Sequence, residues 1–542
     1  MPFPSDDSSD TNASPQAPGR RDFLAAGTAG LLGLSTDAPF SSGSLTTVPT
    51  LAALRDTSGD QAVVVQGYHE PGDGGGGLFV PASSKSITES LAGKRSENAL
   101  WVSRGGERPP WVRFLTSGEA INVKWFGAKG DGDADASDAI NRAIWMAGYL
   151  GSRRTQIPAG TYRLDAPIVL TWTSGHTLSG DGALTTTLVK ENDSQYRLAP
   201  GHSVDAALII PASRRETQDG EVQVSDAHTI TVENLQVKGK ETGPRPLERP
   251  YGIYVERAYE AAFRNISIAW FRSAFAAEKL WMSRLIRLRG KYIGTLVDLS
   301  SNPKEDAIAG ASTSLSIENC YCSNDVRGDA FVLRSVYYST LQNCGADEVS
   351  GWPYVVDTCR SITLLGCGFE KSQNGKGITF RGATGNVIGC KGIFPRAPGA
   401  EDSSASVFTA ESNAAGRPSS VVVMGTHFSN YKPHEQHVSE ERRTPVPGRV
   451  VESQSSITAI ESRFPQTVTG QNATVMHDRG RVSESQASAH TSDVREAAPG
   501  TSPPALSPIH GTDADAAINE NFARLSEQLT NLLRKLNAED GE

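Results

Sequence analysis

From Ala227 onward the chain repeats short β-branched segments in which apolar and polar positions alternate: HTITVENLQV, AAFRNISI, TSLSIENCYC, YYSTLQNC, SITLLGCGF, TGNVIGC, SSVVVMGTHF and SSITAIESRF. Alternation sends successive side chains to opposite faces of a strand. The pairs Asn319-Cys320, Asn343-Cys344, Gly366-Cys367 and Gly389-Cys390 recur at spacings of 24, 23 and 23 residues. Asn and Gly enter the left-handed backbone region most readily, so each pair predicts a corner followed by a small inward residue. Short strands at so fixed a period predict a solenoid whose coils stack about 4.8 Å apart.

Other segments frame this array. Ala139, Ile140, Ala143, Ile144 and Ala147 share one face at helical spacing, which predicts a helix capped by Ser137 or Asp138 after a strand from Ile121 to Phe126. Residues 47–116 predict a small separate α/β module, with a helix from Leu51 to Arg55 and a strand from Ala62 to Gln66. Its PGDGGGG run (Pro71 to Gly77) reads as a turn, and no Lys-Ser/Thr follows to make it a phosphate loop. Two polar stretches, Pro395–Ser420 and Tyr431–Val450, read as insertions, and residues 482–511 as a Ser/Ala/Pro linker. Within 512–538, Ile518, Phe522, Leu525, Leu529, Leu532 and Leu536 step by 4, 3, 4, 3 and 4. That heptad seam predicts an amphipathic helix that associates, a homotrimer being the favoured oligomer.

The string FGAKGDG, then DASDAINRAI and IPAGTYRL, resembles the opening of the pectate-lyase-superfamily right-handed β-helix proteins. With the repeats, the resemblance covers residues 121–465. It implies an all-β fold: a right-handed single-stranded parallel β-helix over 121–481 with an N-terminal capping helix. Residues 47–116 are similar to the modules that precede β-helices in phage tailspikes. The resemblance further implies an enzyme that binds and cleaves polysaccharide, as tailspike-type depolymerases do. Near the start, Arg20, Arg21, Asp22, Phe23 and Leu24 precede AAGTAGLLGL, which resembles a twin-arginine export signal within a leader of residues 1–45. A secreted or cell-surface location is the expectation, although no A-x-A stands between Leu34 and Ser44 to mark cleavage.

Composition narrows the partners. The 542 residues carry a formal charge of −9 with no Lys/Arg stripe, which argues against nucleic acid. No run of 18 apolar residues is present to span a membrane. All six cysteines fall between 320 and 390 in the periodic window, so free buried thiols are expected rather than disulfides or zinc ligands. Asp131, Asp133 and Asp135 alternate like a calcium loop, but Arg142 stands where the bidentate Glu belongs. No metal or cofactor is expected.

With each repeat's Cys inward, the residues three and four further on are Ser323 and Asn324, Asp347 and Glu348, then Glu370 and Lys371. Asp325, Asp347, Glu348 and Glu370 therefore form the candidate catalytic pool for glycoside hydrolysis. Carboxyls on adjacent coils would lie about 5 Å apart, the retaining separation, and on alternate coils about 9–10 Å apart. Trp352, Tyr354 and Tyr337 are candidate sugar-stacking residues, with Lys371, Arg289 and Lys291 as further binding groups. Elimination on a uronate polymer is the alternative, drawing on the basic stretch Arg284, Arg287, Arg289, Lys291 and Tyr292. The alternative outside enzymes is a non-catalytic surface or adhesive solenoid. His176, His228, Asp329, Asp298 and Asp357 read as structural, Asp329 ranking below Asp325 as an acid.

Overall fold

The computed structural model describes residues 46–476 except 83–94, 105–107, 117, 172–173, 217–221, 242–249, 301–310, 373–375, 395–407, 431–446, 451–454, 461, 463–465 and 470–472. The paired arginines, the linker and the heptad seam lie outside the described residues. Three strands make each regular coil. Val336–Gln342, Gly345–Asp347 and Tyr354–Asp357 are followed by Arg360–Leu365, Gly368–Glu370 and Ile378–Arg381. Each pairs in parallel with its counterpart one coil on: Leu341 with Leu364, Ala346 with Phe369 and Val356 with Phe380. Three faces result, termed first, second and third in that order, and together they form a parallel β-helix.

The corner between the first and second faces is the predicted one. Asn319, Asn343, Gly366 and Gly389 have φ of 54°, 52°, 61° and 61°. Their N–H groups donate to the carbonyls of Gln342, Leu365, Ile388 and Met424, each at 2.9 Å, so the four corners form one column. The cysteines that follow turn inward for a reason beyond size. The thiols of Cys344, Cys367 and Cys390 donate to the carbonyls of Ile317, Leu341 and Leu364, one coil earlier, at 3.3, 3.3 and 3.5 Å. Thr426 and Ser462 continue the column with the same bond, at 3.2 Å each. Position by position, a small donor bonds back to a carbonyl of the coil before it. All six cysteines are free and buried. Burial pushes the Cys359 thiol up to about 12, and the neighbouring Cys344 thiol, more than burial, does the same for Cys367.

Aromatic rings fill the interior: Phe331 stacks on Tyr354 at 5.1 Å, and Phe369, Phe380, Phe408 and Phe428 continue the stack. The helix Ser137–Tyr149 covers the first coil with Ala139, Ile140, Ala143, Ile144 and Ala147 buried. Its cap differs from the expectation. The Asp135 carboxylate accepts from the Ser137 N–H at 3.0 Å and its hydroxyl at 2.6 Å, because Asp135 leaves the preceding strand pointing back at the helix start. Asp131 accepts from the Asp133 and Ala134 N–H groups, so the alternating aspartates organise a turn.

Residues 46–113 hold a five-stranded sheet ordered Thr46–Thr50, Val63–Gly67, Gly77–Pro81, Trp111–Arg113 and Trp101–Val102. Arg113 rivets it to the solenoid. Its buried guanidinium donates to the carbonyls of Ala99, Gly75 and Gly76 and lies 4.7 Å from the rings of both Phe79 and Trp125. The two supposed insertions need correction. Phe408–Glu411 and Pro447–Val450 are third-face strands, paired to Ile378–Arg381 and to each other. Long third-face connections had hidden the period. No described helix is long and apolar enough to cross a membrane.

Candidate functional site

The acidic residues singled out by spacing do assemble. Arg289, Tyr321, Gly345 and Gly368 are successive members of one second-face column, and two positions along the strand Lys291 pairs with Ser323. Asp347 lies directly opposite Glu370 in the register. Asp347 accepts the Tyr321 hydroxyl at 2.7 Å and the Glu370 N–H at 3.0 Å. Glu348 and Lys371 occupy the next corner, with φ of 57° and 54°, and bond to each other at 3.2 Å. Asp325, also left-handed at φ 71°, is forked by Arg327 at 2.7 and 2.8 Å. Glu370, Lys371, Arg289 and Lys291 are exposed. These groups form an open strip in which three of the four carboxylates already have partners.

The aromatic residues expected beside them do not join that strip. Tyr354 is a correction: it points inward, 1% exposed, and its hydroxyl donates between the Cys344 and Gly368 carbonyls, 2.8 Å from each. Alternation from the third-face strand, not from the preceding turn, sets its direction. Tyr337 is also separated from the acids, on the first face, half-buried with Arg360 5.9 Å from its ring. Trp352 is half-buried in the turn between second and third faces, its N–H bonded to Asp329 at 2.8 Å and Lys376 5.7 Å from its ring.

A concave site lies elsewhere, on the third face. His202, Ser203 and Val204 wall one side of a pocket of about 200 Å³, and Tyr251, Tyr254, Ala276, Ala277, Glu278, Asp298 and Ser300 form its floor. The floor comes from three consecutive coils, Tyr251–Tyr259, Ser273–Trp281 and Thr295–Ser300, in which Tyr254, Ala276 and Asp298 share one column. Tyr254 donates its hydroxyl to Glu278, and the His202 Nε2 lies 3.6 Å from the same carboxylate oxygen. Asp298 accepts from the Ser300 hydroxyl, and Arg334 lies 4.0 Å from its Oδ1. One coil and two residues separate Glu278 from Asp298, which puts their Cα atoms about 8 Å apart. Burial, then the bond to Glu278, raises the Tyr254 phenol well above its ordinary value. Burial first, and then Asp298, raises that of Tyr251.

Two buried charges hold the wall in place. The wall belongs to an antiparallel hairpin, Tyr196–Ala199 with His202–Val204. At its root Lys190, fully buried at the end of Thr186–Lys190, bonds to the Asn192 carbonyl and to Ser194 Oγ at 2.7 Å, and pairs with Asp205 at 3.3 Å. Lys190 thus ties both ends of the hairpin together. Glu256, 5% exposed, receives the Ala212 N–H at 2.9 Å and a two-pronged bond from Arg214, fixing a second antiparallel hairpin, Ser213–Glu216 with Val222–Ser225.

By spacing Asp298 reads as structural, and neither Glu278 nor Tyr254 stands out. A signal was present: Tyr254, Ala276 and Asp298 recur at 22 residues, as do Glu256, Glu278 and Ser300. His202 carried none, since a hairpin outside the repeat delivers it. Of the two histidines judged structural, His176 is fully buried, 3.1 Å from Thr155 Oγ1.

Comparison with known proteins bears on the fold. Residues 120–375 match the family described as rhamnogalacturonase A/epimerase, pectate lyase-like. Over 71 residues the chain is 42% identical to alginate lyase 7 of Azotobacter vinelandii, a stretch covering 13% of this chain and 7% of that protein. The tailspike gp42 of Acinetobacter phage vb_AbaP_AS12 superposes with a TM-score of 0.57 at 14% identity, over 83% of this chain and 79% of the tailspike. The enzymatically active domain of tailspike protein 2 from bacteriophage CBA120 gives 0.51 at 13% identity, over 81% of this chain and 60% of that one. Residues 120–375 are thus similar to that pectate-lyase-like family, and the strands within and beyond them form one parallel β-helix.

Proposed function

We propose that the protein hydrolyses a polysaccharide in the third-face pocket, with Glu278 and Asp298 as the carboxyl pair. The supporting observation is that Glu278 sits in a concavity with two proton-bearing groups trained on it, Tyr254 and His202, while Asp298 faces the same space from the next coil. On adjacent coils and two residues apart in register, the two carboxyls line one pocket, the arrangement of an acid and a base either side of a water that inverting hydrolysis uses. Asp298, beside Arg334 and accepting from Ser300, activates that water. Glu278 protonates the leaving oxygen and regains its proton through His202. Elimination is less well served. The Tyr254 phenol, whose proton is held more tightly than usual, makes a poor base. Polysaccharide as the substrate class also draws on the relatives, one an alginate lyase and another the enzymatically active part of a tailspike.

A second reading keeps catalysis on the second face, and the pairing of Asp347 with Glu370 on adjacent coils favours it. There the acids would act at the retaining separation. One assay addresses the chemistry in both cases: incubate the protein with neutral and acidic polysaccharides, then follow reducing ends and ultraviolet absorbance. Reducing ends without absorbance are expected. Reducing ends with the absorbance of an unsaturated product would replace hydrolysis with elimination, and neither signal would favour an adhesive solenoid.

Export and assembly complete the proposal. The Arg20–Arg21 segment directs twin-arginine export, and the seam from Ile518 to Leu536 joins copies into a trimer. Exchanging both arginines for lysine should retain the protein inside the cell, and deleting residues 512–542 should reduce its mass in solution to that of a monomer.

A further inference from the structure

Resting on the hydrolytic reading of this pocket, we infer that its sugar residue carries no carboxylate: the substrate is a neutral or N-acylated glycan, not a uronate polymer. Among the described residues that line the pocket, the charged groups are Glu278 and Asp298, with His202 as the third titratable side chain besides the tyrosines. No lysine or arginine is among them. Of the guanidiniums at its margin, Arg214 and Arg334 are committed to protein partners, while Arg272, outside the lining, acts on Tyr251. Arg214 grips Glu256, and Arg334 donates to Ser300 at 3.0 Å and lies near Asp298. Lys279, on the same strand as Glu278, is buried with its Nζ 4.2 Å from the Trp281 ring. Burial first, then the acids, raises both pocket tyrosines: Asp298 and Glu278 for Tyr251, against the opposing charge of Arg272, and Glu278 and Glu256 for Tyr254. The lining itself is acidic.

Sugar chemistry converts that acidity into selection. Carboxylates accept hydrogen bonds and donate none. A hexose offers hydroxyl donors, including its C6 hydroxymethyl, to Asp298, the carboxylate that stays ionised while Glu278 carries the acid proton. A uronate replaces that donor with a second anion, so the like charges repel and acceptor meets acceptor. Arg289 and Lys291, which would welcome an acidic chain, belong to the second face.

Carboxyl reduction provides the test, since it turns each uronate into the corresponding hexose without altering linkages. Binding of the full-length protein to polygalacturonate and alginate is compared with binding to their carboxyl-reduced forms, by affinity electrophoresis at about 0.15 M salt, where exposed charges are largely screened. The reduced polymers are expected to bind at least about tenfold more tightly, and the gap is expected to shrink in the E278Q/D298N double variant. Equal binding, binding of neither, preference for the uronate form, or a gap unchanged in the double variant each overturns the inference. The hydrolytic reading is judged separately. New reducing ends without absorbance from a native uronate polymer would sink the substrate class and keep hydrolysis. A pocket-dependent preference for reduced polymers with no reducing ends would do the opposite.

Discussion

Tyr254 on one coil gives its phenolic hydrogen to Glu278 on the next, and His202, from a hairpin outside the repeat, stands 3.6 Å from the oxygen that receives it. A solenoid wall is ordinarily a flat sheet. Here a hairpin rising beside three coils makes a concavity and brings an imidazole to a carboxylate that the coils alone would leave on an open face.

Glu278→Gln and Asp298→Asn should each lower kcat by about 10² to 10⁴ while leaving thermal unfolding within a few degrees, because general acid–base groups contribute in that range. Tyr254→Phe should lose about tenfold. Asp347→Asn should keep turnover. Reducing-end assays on the four variants check this, and the reverse pattern, with Asp347→Asn inactive and Glu278→Gln active, would move the site to the second face.

Lys190→Met should loosen the wall from its root. Removing one partner of a buried ion pair leaves the other charge uncompensated and costs about 3 kcal/mol; Asp205 is that partner. Denaturant unfolding measures the loss, and limited proteolysis should cut within residues 192–205 of the variant before the wild type.

Acid should weaken the fold through His176. Burial, with Arg153 adding to it, lowers this imidazole from 6.5 to about 4, and its Nδ1 meets no partner among the described residues. Below pH 6.5 the unfolded chain takes up a proton that the folded one refuses. Stability is therefore complete above that pH and declines as pH falls toward 4, by up to about 3 kcal/mol. The lowered carboxylates Asp73, Asp131 and Asp135 titrate below this window. Unfolding temperature measured from pH 7.5 to 4 should fall along this curve, and His176→Leu should flatten it.

The cysteine column should be chemically silent. Thiols pushed up to about 12 by burial or by a neighbouring thiol hold almost no thiolate at pH 8. Native protein should leave a thiol reagent unreacted, and all six groups should react in guanidinium. Cys344→Ser should cost less than about 1 kcal/mol, since Thr426 and Ser462 already make the same bond elsewhere in the column, whereas Cys344→Leu should cost about 1–3 kcal/mol by overpacking.

The corner column sets a backbone test. Asn343 holds φ at 52°, so Asn343→Gly should be nearly neutral and Asn343→Val should lose about 1–2 kcal/mol, read from denaturant midpoints.

The solenoid was legible because its rules are local. A left-handed corner selects Asn or Gly, a strand alternates, and stacking repeats both at a fixed interval, so Asn319, Asn343, Gly366 and Gly389 announced their column. The pairing of Asp347 with Glu370 followed from the same register. Tyr354 reads as exposed because it stands in the turn-like SGWPY segment, but the third-face strand starts at that residue and turns it inward. Phe408–Glu411 and Pro447–Val450 escape the pattern because irregular numbers of residues separate them from the strands before them.

Sequence alone determined the coil, its corners and the small donors behind them, since each depends on neighbours along the chain or one period away. Only the tertiary structure decided where a concavity exists. Its depth comes from a hairpin rooted by Lys190 and Asp205, whose position over Glu278 is fixed by buried charge pairing and packing that no interval in the sequence encodes.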